Sequence, residues 1–304
     1  MKKDDKKLIR RFLLPSIIMF FIIFLYPILR TVIMSFFEVE DLTGPVSHWR
    51  FVGFSNYLDL AKTKLFRTSI VNIAKIWLFG GIASLGIALA YAVILNSGIK
   101  GKKFFKSVLY IPHIISAVAL ATMWIQYIYN ARYGFLVDLF KKLGWERLAA
   151  IQWLDGDHKF GAMLVAYCFG TIGYYALILS SGIEKIPADY YEAATIDGAN
   201  GRKRFFYVTL PLITGEIKST LTMWSISTLG FMVWGQLFAS IDEDLATITP
   251  MIYLYLQTFG VNDGTSGTRN AGEGAAIGVF LGLAVALIFA VINKIFDKRE
   301  DYEL

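Results

Sequence analysis

The sequence predicts an all-α polytopic membrane protein, and three observations predict it: composition, the length of the apolar runs, and the placement of basic residues. Hydrophobic residues make up 56% of the 304-residue chain and charged residues only 18%, a balance foreign to soluble domains. Six runs reach the roughly 20 mostly apolar residues that a spanning helix needs. They cover 12–37, 70–95, 107–129, 160–183, 219–240 and 275–296, and nothing divides residues 1–304 into more than one transmembrane domain. Lysine and arginine crowd into the N-terminal segment and into the segments that follow the second, fourth and sixth runs, as at Lys100, Lys102, Lys103, Lys106 and Arg202, Lys203, Arg204. The positive-inside rule then places both termini in the cytoplasm.

The leader "MKKDDKKLIRR" is basic, as in a signal peptide. The run behind it is too long for a signal core and lacks a small-residue cleavage pattern, so a retained first helix is expected. Cys168, the single cysteine, falls inside the fourth run, which leaves neither a disulfide framework nor a cysteine metal site. His48, His113 and His158 are scattered, without paired ligand spacing, so no metal is expected. His113 follows Pro112 at the start of a helix. No catalytic constellation appears, so the chain is not expected to be an enzyme. No Walker-type glycine loop appears either, so this chain binds no ATP by that route. The net charge of +6 belongs to cytoplasmic loops rather than to a nucleic-acid-binding face. After the fifth run, "ATITPMIYLYLQTF" is too short to span and is expected as an outer amphipathic element, followed by a flexible Gly-rich outer loop, "GVNDGTSGTRNAGEG".

One stretch does not fit the membrane pattern: "YYEAATIDGANGRKRFFYVTLP", within the segment 187–211 between the fourth and fifth runs. Pro187 suits a helix start, and Asp189 complements the helix dipole in the first turn. Gly198 is placed to take the left-handed conformation that ends the helix, and Asn200 to cap a second one leading back to the bilayer. Ala193, Ala194 and Ala199 leave a low surface, with Glu192 and Asp197 as acidic anchors beside it. An interfacial helix lying on lipid is the alternative, with Tyr190, Tyr191 and Ile196 facing the headgroups, but such helices usually carry lysine on the polar face. Docking to a protein is the better reading.

"EAATIDGA" followed by "RFFYVTLP" closely resembles the EAA loop of ATP-binding-cassette importer permeases, the coupling helix that fits a cleft on the ATPase. Glu192, Ala193, Ala194, Asp197, Gly198, Ala199, Leu210 and Pro211 stand where that pattern wants them. "FVGFSNYLDL", "YIPHIISAVALATMWIQYIYN" and "WLDGD" are similar to segments of the carbohydrate permeases, of the maltose and glycerol-phosphate type. The opening "LLPSIIMFFIIFLYPILRTVIMSF" looks like the first of the two permeases such systems carry. The resemblance covers nearly the whole chain and implies the type I importer permease fold. It further implies a second homologous permease subunit, two cytoplasmic ATPase subunits that use ATP and Mg, an extracellular solute-binding protein, and a bacterial cytoplasmic membrane. One departure stands out: many relatives carry T-x-G-G-P after the fifth helix, where this chain has "FASIDEDLATITP".

Sugars are bound by aromatic faces and by polar groups that meet their hydroxyls. The runs flanking the coupling loop supply both, in Tyr174 and Tyr175 on one side and Trp224, Ser227, Thr228 and Phe231 on the other. Helical spacing puts the last four on one face. Relatives line their substrate site from these two helices, yet the same residues suit ordinary packing between transmembrane helices. Glu216 and Lys218 fall at the cytoplasmic end of the fifth run. The competing function is an ion-gradient-driven secondary transporter, which would show acidic residues at mid-membrane depth or broken half-helices. No run has an acidic residue near its centre.

Overall fold

A computed structural model describes residues 3–40, 45–241, 243–260 and 270–300. Its principal elements in chain order are α1 (Phe12–Met34), a small antiparallel pair β1 (Phe37–Glu38) and β2 (Arg50–Phe51), α2 (Ser55–Lys62) and α3 (Lys64–Leu95). Then come α4 (Lys102–Ile114), α5 (Ala117–Ile128), α6 (Phe135–Lys142), α7 (Gly156–Glu184), α8 (Ala188–Ile196) and α9 (Gly201–Arg204). The chain closes with α10 (Thr214–Leu229), α11 (Val233–Phe238), α12 (Pro250–Phe259) and α13 (Ala271–Phe296). Helices α1, α3, α7 and α13 are long and apolar enough to cross a membrane. Most of the Gly-rich stretch expected as an outer loop lies outside the described residues.

Two of the expected spans are not single straight helices. The run 107–129 is α4 and α5, bent by 96° at a break of two residues. Ile115 and Ser116 are extended there, and the Ser116 hydroxyl starts α5 by accepting from the Ala119 amide at 3.3 Å. The run 219–240 is α10 and α11, parted at Gly230–Met232. Breaking a helix frees a carbonyl that lipid cannot satisfy, and the Thr249 hydroxyl supplies the missing partner by donating to the Phe231 oxygen at 2.5 Å. Apolar periodicity sets which residues avoid water; it does not forbid an interruption whose backbone groups find other partners.

The chain divides into two compact units, Met1–Arg67 with Tyr253–Leu283, and Thr68–Ile252 with Ala284–Leu304. In the first, Asn56 is the organising side chain. It is buried and donates to the Ser35 and Phe37 carbonyls, both at 2.9 Å, and accepts from Asn270 at 3.1 Å. Asn270 also accepts from the Val39 amide at 3.2 Å, and the Tyr57 hydroxyl donates to Ser35 Oγ at 2.7 Å. Gly53 turns the chain into α2 at φ +57°. The "FVGFSNY" segment is therefore a backbone clamp: its glycine turns, and its asparagine satisfies carbonyls left open at the end of α1.

In the second unit α7 is the central pillar, with 56% of its apolar window buried, against none of the α1 window. Its buried side is mostly small: Ala162, Ala166, Gly170, Gly173, Ala176, Ser180 and Gly182. Small residues let backbones approach closely, which drives helix association where the hydrophobic effect is absent. A Cβ on Gly173 would sit 1.7 Å from the Leu109 carbonyl oxygen of α4, and one on Gly170 would sit 2.9 Å from Leu120 of α5. Gly80 and Gly81 of α3 form a notch filled by Trp224, whose ring atoms would lie 3.1 and 2.7 Å from the added Cβ atoms. At the C-terminal end of α7 Glu184 pairs with Lys102 at 2.8 Å and with Lys106, while Glu216 packs over Gly182 and pairs with Lys185 at 3.0 Å.

The segment that departs from the family pattern is held by two inward-facing side chains. Asn72 of α3 donates to the carbonyls of Leu245 and Ile248, both at 3.0 Å. Lys159, near the start of α7, is buried and bonds Asp244 at 2.6 Å and the Ser240 hydroxyl at 2.7 Å. Burial pushes the Asp244 carboxyl up, but the bonds from Lys159 and from the Ser240 and Ala246 amides outweigh it and hold the pKa below its ordinary 3.8.

Two predictions come from this packing. Gly173→Ala must displace backbone, and overpacking of this kind costs about 1–3 kcal/mol or more. Gly86→Ala meets open space and removes the roughly 0.5–1 kcal/mol penalty of a helical glycine. Scanning fluorimetry in detergent should show a lowered unfolding midpoint for the first variant only; equal midpoints would refute the close-contact argument. Breaking a buried ion pair by removing one partner costs about 3–5 kcal/mol, so Asp244→Asn should also unfold earlier. A carboxylate whose native pKa is depressed stabilises fully above its unfolded pKa and loses that contribution as pH falls through the native value. The gap between wild type and Asp244→Asn is thus expected to be flat from about pH 8 to 5 and to close only below about pH 4.

Candidate functional site

Two sites emerge, one at the turn between α8 and α9 and one at the bend between α4 and α5. At the first, Pro187 precedes α8 and Asp189 sits in its first turn. The helix ends with paired backbone bonds, Ala199 N–H to Ala194 O at 2.9 Å and Gly198 N–H to Thr195 O at 3.0 Å. That pairing is a Schellman motif, and it needs a left-handed residue, which Gly198 provides at φ +76°. Asn200 then caps α9, its side chain accepting from the Lys203 amide at 2.9 Å. Glu192, Ala193, Asp197 and Gly198 are exposed, while Ala194 and Ala199 are half-buried.

Tyr190 is exposed on this helix, and so is Ile196, 87% accessible beside Glu192 and Asp197. Tyr191 does not face outward with it; its hydroxyl pairs with Thr209 at 3.0 Å and ties the helix to the segment that re-enters toward α10. Behind the helix lies an open cleft of about 540 Å³, where Asn96, Glu184, Tyr191 and Arg204 come together. The surface thus presents Ile196 and Tyr190, the carboxylates of Asp189, Glu192 and Asp197, and a low alanine strip on a braced helix.

The second site is a half-open cavity of about 410 Å³. Tyr174, Tyr175 and Ser227, all singled out from sequence, line it together with Thr171, Tyr167, Gly170, His113 and Trp234. Three expected pathway residues lie elsewhere. Trp224 and Thr228 are completely buried and Phe231 nearly so. Trp224 fills the Gly80–Gly81 notch and donates to the Trp77 carbonyl at 2.9 Å. Phe231 packs edge-on against Tyr167, with ring centroids 4.9 Å apart. Of the face 224–231, Ser227 alone reaches the cavity, because α10 ends at Leu229 and turns its tryptophan inward. Thr171 and Trp234, which the same two runs offer, line it as well, whereas His113 was missed. The signal for His113 was available: a histidine beside a proline inside an apolar run, where a helix break puts polar groups to use.

The Thr228 hydroxyl is buried with no hydrogen-bond partner. Thr228→Val keeps the volume and removes an unsatisfied group that costs about 1–3 kcal/mol. The variant should transport like wild type and unfold at an equal or higher temperature; a specific loss of transport would put Thr228 back on the pathway.

Residues 82–302 match the family described as "Binding-protein-dependent transport system inner membrane component". The arabinooligosaccharides transport system permease protein of Bacillus subtilis is 30% identical over 93% of this chain and 86% of its own length. The diacetylchitobiose uptake system permease protein of Streptomyces coelicolor is 26% identical over 86% of this chain and 75% of its own. Among solved structures, a chain of a bacterial ABC transporter that imports the acidic polysaccharide alginate superposes with a TM-score of 0.80 at 21% identity. That match covers 97% of this chain and 98% of the other, and it establishes a shared fold. Broken helices, the mark expected of a secondary transporter, occur here in a chain that matches this permease fold. The chain belongs to the family of binding-protein-dependent transport system inner membrane components.

Proposed function

We propose that this chain is a sugar- or oligosaccharide-translocating subunit of an ATP-binding-cassette importer. It works beside a second homologous permease, with two cytoplasmic ATPases docked on α8 and its counterpart. The termini and the α8–α9 turn face the cytoplasm, and an extracellular binding protein delivers the substrate from the other side. The observation that carries this reading is the α8–α9 turn. A rigid, capped helix displays Ile196, Glu192 and Asp197 outward, which suits a protein cleft rather than lipid.

The mechanism is alternating access. A docked helix transmits motion only if its contacts differ in free energy between the two states of its partner. Here α8 is linked through Tyr191 to Thr209 and so to the helical segment leading into α10, whose Ser227 borders the cavity. Closure of the ATPases would move α8, and α10 would carry that displacement to the cavity wall. The chain itself needs no catalytic group or bound cofactor; ATP and Mg are used by the partner subunits. The second reading, an interfacial lipid helix, would want basic residues where α8 carries carboxylates.

The test lies in the importer assembled in vesicles. Glu192→Lys reverses a charge at the docking surface, where like-charge contact costs up to several kcal/mol. Gly198→Val forces a β-branched residue to positive φ. Both variants should insert normally yet lose ATPase co-purification, or hydrolyse ATP without responding to loaded binding protein. Wild-type coupling in both variants would defeat the proposal, and improved membrane retention of Glu192→Lys would favour lipid.

A further inference from the structure

We propose that His113 reads a saccharide hydroxyl in the cavity through its Nε2, and that the ligand there is an uncharged sugar; this rests on the sugar-importer reading above. The geometry begins with the two glycines of α7. Gly173 lets the Leu109 backbone press against α7, and Gly170 makes room for Leu120, so the bent pair α4–α5 lies close over the pillar. That brings the His113 ring parallel to Tyr174, with centroids 4.6 Å apart and planes 19° apart. Its Nδ1 lies 3.3 Å from the Gly170 carbonyl oxygen.

A carbonyl oxygen only accepts, so Nδ1 carries the proton, and in the neutral ring Nε2 is left as a hydrogen-bond acceptor. Stacking fixes the ring plane and the carbonyl fixes the tautomer. His113 is accessible and borders a cavity whose other polar contributors include the hydroxyls of Thr171, Tyr174, Tyr175 and Ser227. Hydroxyl groups can each donate or accept, so a lining of hydroxyls matches sugar hydroxyls in either sense, while the imidazole nitrogen adds an acceptor of set direction. None of the described lining residues is Lys, Arg, Asp or Glu. A carboxylate or phosphate drawn from water against this wall finds no charged partner on this chain, and an unpaired charge is costly to desolvate. Uncharged saccharides meet no such penalty.

The experiment uses the complete importer in vesicles with its binding protein. His113→Gln keeps an acceptor oxygen and His113→Leu removes it. Uptake per ATP hydrolysed should fall about tenfold in His113→Leu, the loss of one hydrogen bond to a desolvated hydroxyl. His113→Gln should recover most of that loss, with binding-protein-stimulated ATP hydrolysis retained in both. Wild-type uptake per ATP in His113→Leu, or equal loss in the two variants, would overturn the role of His113 while leaving the sugar-importer reading intact. Failure of wild type to import any saccharide from an arabino-oligosaccharide and diacetylchitobiose panel would instead strike that reading. For the ligand class, thiol labelling of Ser227→Cys in the purified complex is measured with saccharides added directly, which bypasses the binding protein's preference. Arabinotriose or diacetylchitobiose should protect; protection by an alginate trisaccharide at the same concentration would overturn the uncharged class.

Discussion

At Gly173 the Leu109 carbonyl oxygen occupies the space where a side chain would begin. That contact is the constraint on which the second unit depends. It lets α4 lie directly on the pillar, and it holds a helix that bends sharply a few residues later. In lipid no hydrophobic gain rewards bringing two helices together, so the attraction must come from dense packing of atoms at close range. A larger residue at 173 would hold α4 off, separate His113 from Tyr174, and remove the wall of the cavity. The small-residue side of α7 thus serves function by serving packing first.

Trp224 illustrates the other half of the same logic. Its indole fills the notch that Gly80 and Gly81 leave in α3, and its N–H is satisfied by the Trp77 carbonyl. Trp77 in turn donates to Ser225 at 2.9 Å. The two tryptophans therefore cross-link α3 and α10 through one backbone and one side-chain acceptor. Such a joint is rigid, which is what a helix needs if movement at one end is to reach the other. The breaks at Ile115–Ser116 and Gly230–Met232 place irregular backbone near the cavity, beside residues that line it.

How much of this was legible in the sequence depended on whether the signal was local. The α8–α9 turn was, because a left-handed glycine, an N-cap asparagine and a helix-starting proline each act within a few residues of themselves. Its helix, its turn and its exposed carboxylates follow from those letters. The cavity was not. Tyr174, Tyr175 and Ser227 line it, but Trp224, Thr228 and Phe231 share the same periodicity and are buried. Aromatic and hydroxyl residues on one helical face satisfy both a pocket and a packed seam, and only the neighbouring helix decides which. Glycines at 80, 81 and 170 carried that decision, and their meaning requires knowing what stands opposite. The bend at Ile115–Ser116 was equally hidden, since a continuous apolar run reports avoidance of water and says nothing about direction.

The segment 240–249 shows how a departure from a family pattern can preserve a physical role. In a glycine–proline turn the glycines admit positive φ and the proline fixes its own φ, so the shape is set within the backbone. This chain lacks that device at "FASIDEDLATITP" and fixes the segment from outside instead, with Asn72 on two carbonyls and Lys159 on Asp244 and Ser240. The two solutions differ in what can loosen them. A restricted backbone is indifferent to its surroundings, whereas a clasp of polar side chains survives only while it excludes water and keeps both charges paired. Lys159 lies near the start of α7, the helix whose other end carries Glu184 and leads into α8. A movement of the pillar along its axis would therefore bear on the Lys159 clasp at one end and on the α8–α9 turn at the other. The polar clasp thus ties this segment directly to the start of the pillar, through one lysine and two acceptors.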